Sequence, residues 1–324
     1  MTFINRNREL AWFEDLVRSL QAGRGSHAAI LGLRRIGKTD LVLEFRRHHG
    51  TGATSMPYLN LQGSVTTPQR FCLDVLTVLL TDLCWKKKET HVDKLADRSG
   101  LDQSIDKATD LLVMSHLLDE ELIQDITKLL GLAKNNNYEE LFSLTFEIPE
   151  RIAKKLKIKV LFFLDEFQEI DALKHYGFDP LALLRSVIEK QEHIKYVVTG
   201  SVISMMEDIF KDPHQPFFNQ FSLLTLQFFD KEHSQKLAKY LWKYEHLKAT
   251  PEAYTQLFKL TLGHPFYITA VCERAYFEAK YHNDTIDENL VDYAFIKEVL
   301  HTDGKLNSLF HYIYNSSLKR AQLK

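Results

Sequence analysis

The sequence predicts an α/β protein in which a parallel sheet is wrapped by helices and followed by a region of helices. Three observations carry that prediction. Apolar runs suited to buried strands (Ala28-Ala29-Ile30-Leu31, Val160-Leu161-Phe162-Phe163-Leu164 and Lys195–Thr199) alternate with amphipathic stretches, a recurrence that implies parallel strands joined by right-handed crossovers. Each run ends in Gly or in short polar and acidic residues: Gly32, Asp165-Glu166 and Thr199-Gly200-Ser201. These lie at the carboxyl ends of the strands, where open α/β sheets bind ligands. After Asp230 the pattern becomes helical only, over 231–246, 251–262, 265–281 and 286–301.

In chain order, Leu10, Phe13, Leu16, Val17 and Leu20 recur at three- and four-residue steps and predict a first helix. Gln21 to Ser26 is a turn-rich connection into the first strand. A helix follows over Thr39–His49, then a second strand over Met56–Leu61 and an apolar helix over 68–85. Trp85-Lys86-Lys87-Lys88-Glu89 turns polar, which reads as a solvated helix end. From 90 to 137 the chain reads as charged, helical elaboration between core strands. Tyr138–Lys155 restores amphipathic periodicity, with Pro149 expected to mark a kink or restart. Val160–Leu164 is apolar on both faces, as in a buried parallel strand. A helix over Pro180–Glu189, the strand ending at Thr199 and a last strand over Ser222–Phe228 complete the sheet. Gly263-His264-Pro265 reads as a helix stop followed by proline at a helix start.

The chemistry is concentrated in Gly32-Leu33-Arg34-Arg35-Ile36-Gly37-Lys38-Thr39, which fits G-x-x-x-x-G-K-[ST] between a strand and a helix. In such a loop, backbone N–H groups wrap an anion at a helix N-terminus, where the dipole favours negative charge. Glycine lets the backbone approach phosphate without a Cβ in the way. Lys38 is the candidate for the β- and γ-phosphates and Thr39 for Mg²⁺; Gly32 to Thr39, with Asp40 opening the helix behind them, are the candidate nucleotide-binding residues. Asp165 and Glu166 close the apolar strand as a Walker B pair. Asp165 is the candidate metal residue, and Glu166 the candidate for polarising the attacking water. Thr199 and Ser201 are candidates for a polar side chain near the γ-phosphate, with turn chemistry as the alternative.

Composition narrows the classes. The chain has 324 residues, enough for a full core and two domains, with 45% hydrophobic and 26% charged residues. A net charge of −2 is not that of a nucleic-acid-binding polycation. No apolar run is long enough to cross a bilayer, the N-terminus lacks a signal-peptide layout, and Cys72, Cys84 and Cys272 have no C-x-x-C spacing. The expectation is a cytoplasmic protein without a membrane partner. An Asn-Lys-x-Asp guanine-reading motif is absent, which disfavours GTP.

Three further features are Phe3-x-x-Arg6-x-x-Glu9-Leu10, the Gly32-x-Arg34-Arg35-x-Gly37-Lys38-Thr39 form of the loop, and Gly263-His264-Pro265. With Leu164-Asp165-Glu166-Phe167-Gln168 and Thr199-Gly200-Ser201, they resemble the archaeal-type ATPase family. That family is a branch of the AAA-like signal-transducing P-loop ATPases, related to origin-recognition initiators and NB-ARC or NACHT switches. The resemblance covers about residues 1–300. It implies a parallel sheet of order 5-1-4-3-2 over 1–230, with the elaboration around 86–137 inserted. A helical lid is implied over 231–302, and 303–324 is a C-terminal helix standing roughly where a winged-helix module would begin. It further implies that Arg6 and Glu9 lie near the adenine and that Pro265 lies against the base or ribose. The family commonly carries an arginine before the last strand; here that stretch is Phe217-Phe218-Asn219-Gln220, and no arginine occurs between Ser201 and Phe229.

The expected function is an ATP-binding switch with slow Mg²⁺-dependent hydrolysis, working with a protein partner or by self-association that supplies an arginine. The alternative is a nucleic-acid-associated ATPase of the initiator or transposon-linked kind. A small-molecule kinase fits less well, because the Asp-Glu pair suits activation of water.

Overall fold

The computed structural model of the chain describes residues 3–49, 53–86, 119–244, 247–282 and 285–322. Two compact units emerge. One comprises Asn7–Arg34 and Lys38–Leu226; the other comprises Met1–Arg6, Arg35–Gly37 and Gln227–Lys324.

The first unit is the sheet domain. Helix α1 (Asn7–Gln21) leads into β1 (His27–Leu31), and α2 begins at Lys38 and runs to His49. The second predicted strand is broken into β2 (Thr54–Ser55) and β3 (Tyr58–Asn60), both parallel to β4 (Lys159–Asp165). Pro57 stands at the interruption; it has no N–H for a ladder, but its carbonyl accepts from Phe163 N at 2.9 Å. With β5 (Ile194–Gly200) and β6 (Phe221–Thr225), the order is β2-β4-β5-β1-β6, with β3 also on β4. Counting β2 and β3 as one interrupted strand, this is the all-parallel order 5-1-4-3-2 that the resemblance implies.

β4 is buried over Val160–Asp165, as an apolar run on a central strand requires. On one side Phe13 and Phe45 pack on Phe163, and on the other Phe71, Phe142 and Phe146 cluster. These last rings come from α3 (Pro68–Lys86) and α5 (Tyr138–Leu156), with α4 (Glu120–Lys134) between them in sequence. Pro149 neither stops nor restarts α5, which runs through it. The helix holds because Phe146, Ile148, Pro149 and Ile152 are all buried, and that packing outweighs the one ladder hydrogen bond proline removes. Most of the elaboration expected around 86–137 falls on 87–118, outside the described residues; α4 is the part described. Further pieces not read from the sequence are a 3₁₀ run over Phe167–Tyr176 and α7 (Ile203–Lys211), which follows α6 (Pro180–Ile188) and β5.

The second unit packs α8 (Lys231–Tyr244), α9 (Pro251–Thr261), α10 (Pro265–His282) and α11 (Glu288–Leu300) around Trp242, Leu257, Ile268, Val271 and Ala275. Helix α12 spans Lys305–Gln322. This region is not purely helical, because β7 (Lys248–Ala249) and β8 (Thr285–Ile286) pair in parallel. Two-residue strands are too short to leave a periodic pattern in the sequence. No helix among the described residues is long and apolar enough to cross a membrane.

At the start of β1, His27 is buried against Tyr196 and Phe221, and its Nδ1 accepts from Tyr196 N at 3.1 Å. Burial, aided by the Lys195 charge, lowers its pKa from 6.5 to about 3. The unfolded chain therefore binds a proton that the folded chain refuses. The stability this neutral ring supports is complete above pH 6.5 and is lost progressively as the pH falls toward about 3. His27→Asn keeps an acceptor near Nδ1 without the titration. In urea unfolding, wild type should lose about 3 kcal/mol more than this variant between pH 7.5 and 4.5. Parallel losses would contradict the assignment.

Candidate functional site

Strand register assembles the site at the carboxyl edge of the sheet. Asn60 on β3 stands opposite Asp165 on β4, and Ile30 and Leu31 on β1 stand opposite Thr199 and Gly200 on β5. The ends of four strand segments thus share one edge, and the first turn of α2 presents Lys38 and Thr39.

Asp165 is 1% exposed, and its carboxylate gathers donors from three directions. Thr39 Oγ1 donates to Oδ2 at 2.6 Å, Tyr58 OH at 2.9 Å, and Asn60 Nδ2 approaches it at 3.5 Å. Oδ1 receives Glu166 N at 3.0 Å and a close hydrogen bond from the fully buried Thr199 hydroxyl. Burying a carboxylate without partners is costly; these donors compensate it. Burial, reinforced by the Asp165 carboxylate, raises the Tyr58 phenol pKa, so the hydroxyl stays a donor.

Glu166 has a left-handed backbone, φ 56°, at the turn out of β4. One oxygen, Oε2, accepts from Gln168 Nε2 at 2.6 Å, Ser201 Oγ at 2.6 Å and Ser201 N at 3.2 Å. Thr199 and Ser201, expected near a γ-phosphate, here hold the two carboxylates, one each.

Lys38 is buried, and its ammonium donates to the carbonyls of Gly32 at 2.8 Å and Leu33 at 3.0 Å. Burial lowers its pKa against the opposing pull of Glu166 and Asp165, and Arg34 lowers it further. A buried cation folded back over loop carbonyls is a group that an incoming anion would stabilise. Asp40 is exposed in the first turn of α2, and Glu9 is part-exposed in the first turn of α1.

The middle of the loop belongs to the second unit. Gly37 has φ 96°, a conformation open to glycine, and Arg35 has φ 61°. The Arg35 guanidinium lies 4.2 Å from the centre of the Phe266 ring, one residue after Pro265. Arg6 is buried, donates to the Ile36 carbonyl at 3.3 Å and covers the Phe229 ring. Gly263, φ 80°, accepts from Phe229 N at 2.9 Å. A Cβ on it would stand 1.8 Å from the Phe229 carbonyl oxygen, so close backbone approach explains this glycine. Pro265 opens α10.

Phe217 occupies the stretch where the resemblance places an arginine. It is fully buried, clustered with Phe167, Phe210 and Phe221.

Sequence reasoning missed Tyr58, Asn60 and Gln168. The first two sit two apart on a strand, hence on one face, but their strand was too short and broken to be given a register. Gln168 was visible only as part of the resemblance, without a role.

No family model matches this sequence, and no curated protein matches it. Solved structures do. A Walker-type ATPase of Pyrococcus abyssi is 14% identical with a TM-score of 0.61, over 99% of this chain and 77% of that one. The RuvB Holliday junction branch migration motor of Thermotoga maritima is 15% identical with a TM-score of 0.50, over 94% and 72%. The Orc1 protein of Aeropyrum pernix, solved in complex with DNA, is 13% identical with a TM-score of 0.50, over 92% and 67%. The chain has the fold of the P-loop ATPases, a parallel sheet with helices and a helical C-terminal region. These neighbours are consistent with the resemblance to AAA-like ATPases of the archaeal type.

Tyr58→Phe removes one donor from a buried carboxylate and leaves the others. Equilibrium unfolding should show a loss of about 1.5–3 kcal/mol, the range for a hydrogen bond to a charged group. No loss would mean that Tyr58 does not support Asp165.

Proposed function

We propose that this chain binds ATP with Mg²⁺ and hydrolyses it slowly, with the nucleotide state acting as a conformational switch. The observation that carries the reading is the Thr39–Asp165 contact of 2.6 Å beside a buried Lys38 at a helix N-terminus, in a fold shared with ATPases.

Backbone N–H groups of Leu33 to Thr39 would receive the phosphate oxygens, and Lys38 would leave the Gly32 and Leu33 carbonyls to offset charge on the β- and γ-phosphates. The Thr39 hydroxyl and Asp165 carboxylate form a hard-oxygen donor pair that suits Mg²⁺, which when bound neutralises charge on the phosphates. In the reaction, a water oxygen bonds to the γ-phosphorus as the bond to the β,γ-bridging oxygen breaks. That oxygen leaves with ADP, the water's proton passes to Glu166, and inorganic phosphate is the second product. Arg6, Glu9 and Pro265 remain the proposed contacts to base and ribose.

Slow turnover draws on Phe217-Phe218-Asn219-Gln220, since an arginine facing the γ-phosphate accelerates transfer by large factors. A second protein or another copy of the chain is the proposed source of that arginine. The switch draws on the division of the loop: Arg35–Gly37 groups with Gln227–Lys324, whereas Gly32–Arg34 and Lys38–Thr39 group with the sheet. The Orc1 description names DNA and the RuvB description a Holliday junction, and the nucleic-acid-associated reading rests on them; the net charge of −2 favours a protein partner.

The test is phosphate release from Mg-ATP, with nucleotide binding followed on the same samples. Lys38→Ala should lose binding and turnover together. Glu166→Gln should keep binding and lose about 100-fold or more in kcat, the scale of a general base. Turnover in Glu166→Gln at the wild-type rate would overturn the role of the glutamate.

A further inference from the structure

Gln168 sits two residues beyond Glu166, at the start of the 3₁₀ run, and is 3% exposed. Its carboxamide makes one hydrogen bond, Nε2 to Glu166 Oε2 at 2.6 Å. Turning the amide over would set its oxygen against the carboxylate, so this orientation is dictated by charge. Its own Oε1 is buried and has no hydrogen-bond partner among the described residues. Leaving a buried acceptor unmatched is costly.

The fold makes room for this arrangement. A Cβ on Gly200 would lie 2.6 Å from Gln168 Oε1 and 2.3 Å from Met206 Sδ. Gly200 is a residue of β5 without positive φ, so glycine is required there for space. Three features thus converge: a glycine that clears the pocket, a buried amide accepted with an unmatched oxygen, and a short bond from that amide to the proposed base.

The two oxygens of Glu166 are unequal in consequence. Oε2 receives Gln168 Nε2, Ser201 Oγ and Ser201 N, while Oε1 takes no hydrogen bond from the described residues. A carboxylate oxygen saturated with donors is a poor proton acceptor; the other oxygen keeps its lone pairs. We propose that Gln168 is a positioning residue for hydrolysis: with Ser201 it anchors Oε2, so that Oε1 takes the proton of the attacking water. This rests on the ATPase reading. It also assigns a sense to the clamp, which aims the glutamate and does not hold it back.

The experiment compares Gln168→Met, nearly isosteric without a donor, and Gln168→Glu, each alone and the former also combined with Glu166→Gln. Wild type is run alongside. Gln168→Met should lower kcat about 10–100-fold, the scale of losing a partner that orients a functional side chain, with the dissociation constant of a fluorescent ATP analogue unchanged. Added to Glu166→Gln it should cost nothing more, because the two act as one unit. Gln168→Glu sets a second carboxylate against Oε2. Its kcat should fall at least as far as that of Gln168→Met, because the donor is replaced by a like charge. A Gln168→Met rate equal to or above that of wild type overturns the assignment, as does full additivity with Glu166→Gln. A wild type that binds the analogue but releases no phosphate overturns the hydrolytic reading and this assignment together. Normal wild-type turnover beside an unaltered Gln168→Met overturns the assignment alone.

Discussion

The buried carboxylate of Asp165 sets the terms for the rest of this site. Almost no solvent reaches it, so its charge must be balanced by directed donors. Thr39, Tyr58, Thr199 and the backbone of Glu166 supply them, from α2, β3, β5 and the end of β4 itself. Satisfying one charge therefore fixes the relative placement of three sheet strands and of α2. A one-residue slip between β3 and β4 would turn Tyr58 and Asn60 to the opposite face. Register here is a condition of electrostatics as much as of apolar packing.

The second carboxylate follows from the first. Glu166 leaves β4 with a left-handed backbone, which a non-glycine residue adopts at some cost. Ser201 and Gln168 hold the side chain that this turn presents. Adjacent acidic residues in the chain thus receive separate environments: Asp165 within a ring of hydroxyls, Glu166 with one oxygen bound and the other without a hydrogen bond among the described residues. Lys38 donates to the loop carbonyls, its charge disfavoured by burial and supported by the acidic pair.

Much of the sheet was legible because its signals are local. The five-residue apolar run Val160–Leu164 can be buried on both faces only in a central strand, and G-x-x-x-x-G-K-[ST] needs a strand before it and a helix after it. The order 5-1-4-3-2 came from resemblance and not from periodicity, since periodicity says nothing about which strands are neighbours. What escaped the sequence was short or non-local. β2 and β3 are broken at Met56-Pro57, β7 and β8 are two residues each, and α5 runs on through Pro149 because its flanking residues are buried. In the site, Lys38, Thr39, Asp165 and Glu166 were legible from spacing, whereas Tyr58 and Gln168 act through contacts that only the folded register creates. Thr199 and Ser201 were legible as polar strand-end residues, but their attachment to the carboxylates was not.

The pairing of Asp165 with Thr39 is the proposed seat of a metal-bound nucleotide. It is tested most directly by calorimetric titration of ATP, with and without Mg²⁺, into wild type and Asp165→Asn. Mg²⁺ should tighten ATP binding in wild type. In Asp165→Asn that gain should disappear while metal-free binding persists through the loop and Lys38. An equal Mg²⁺ effect in both proteins would contradict it.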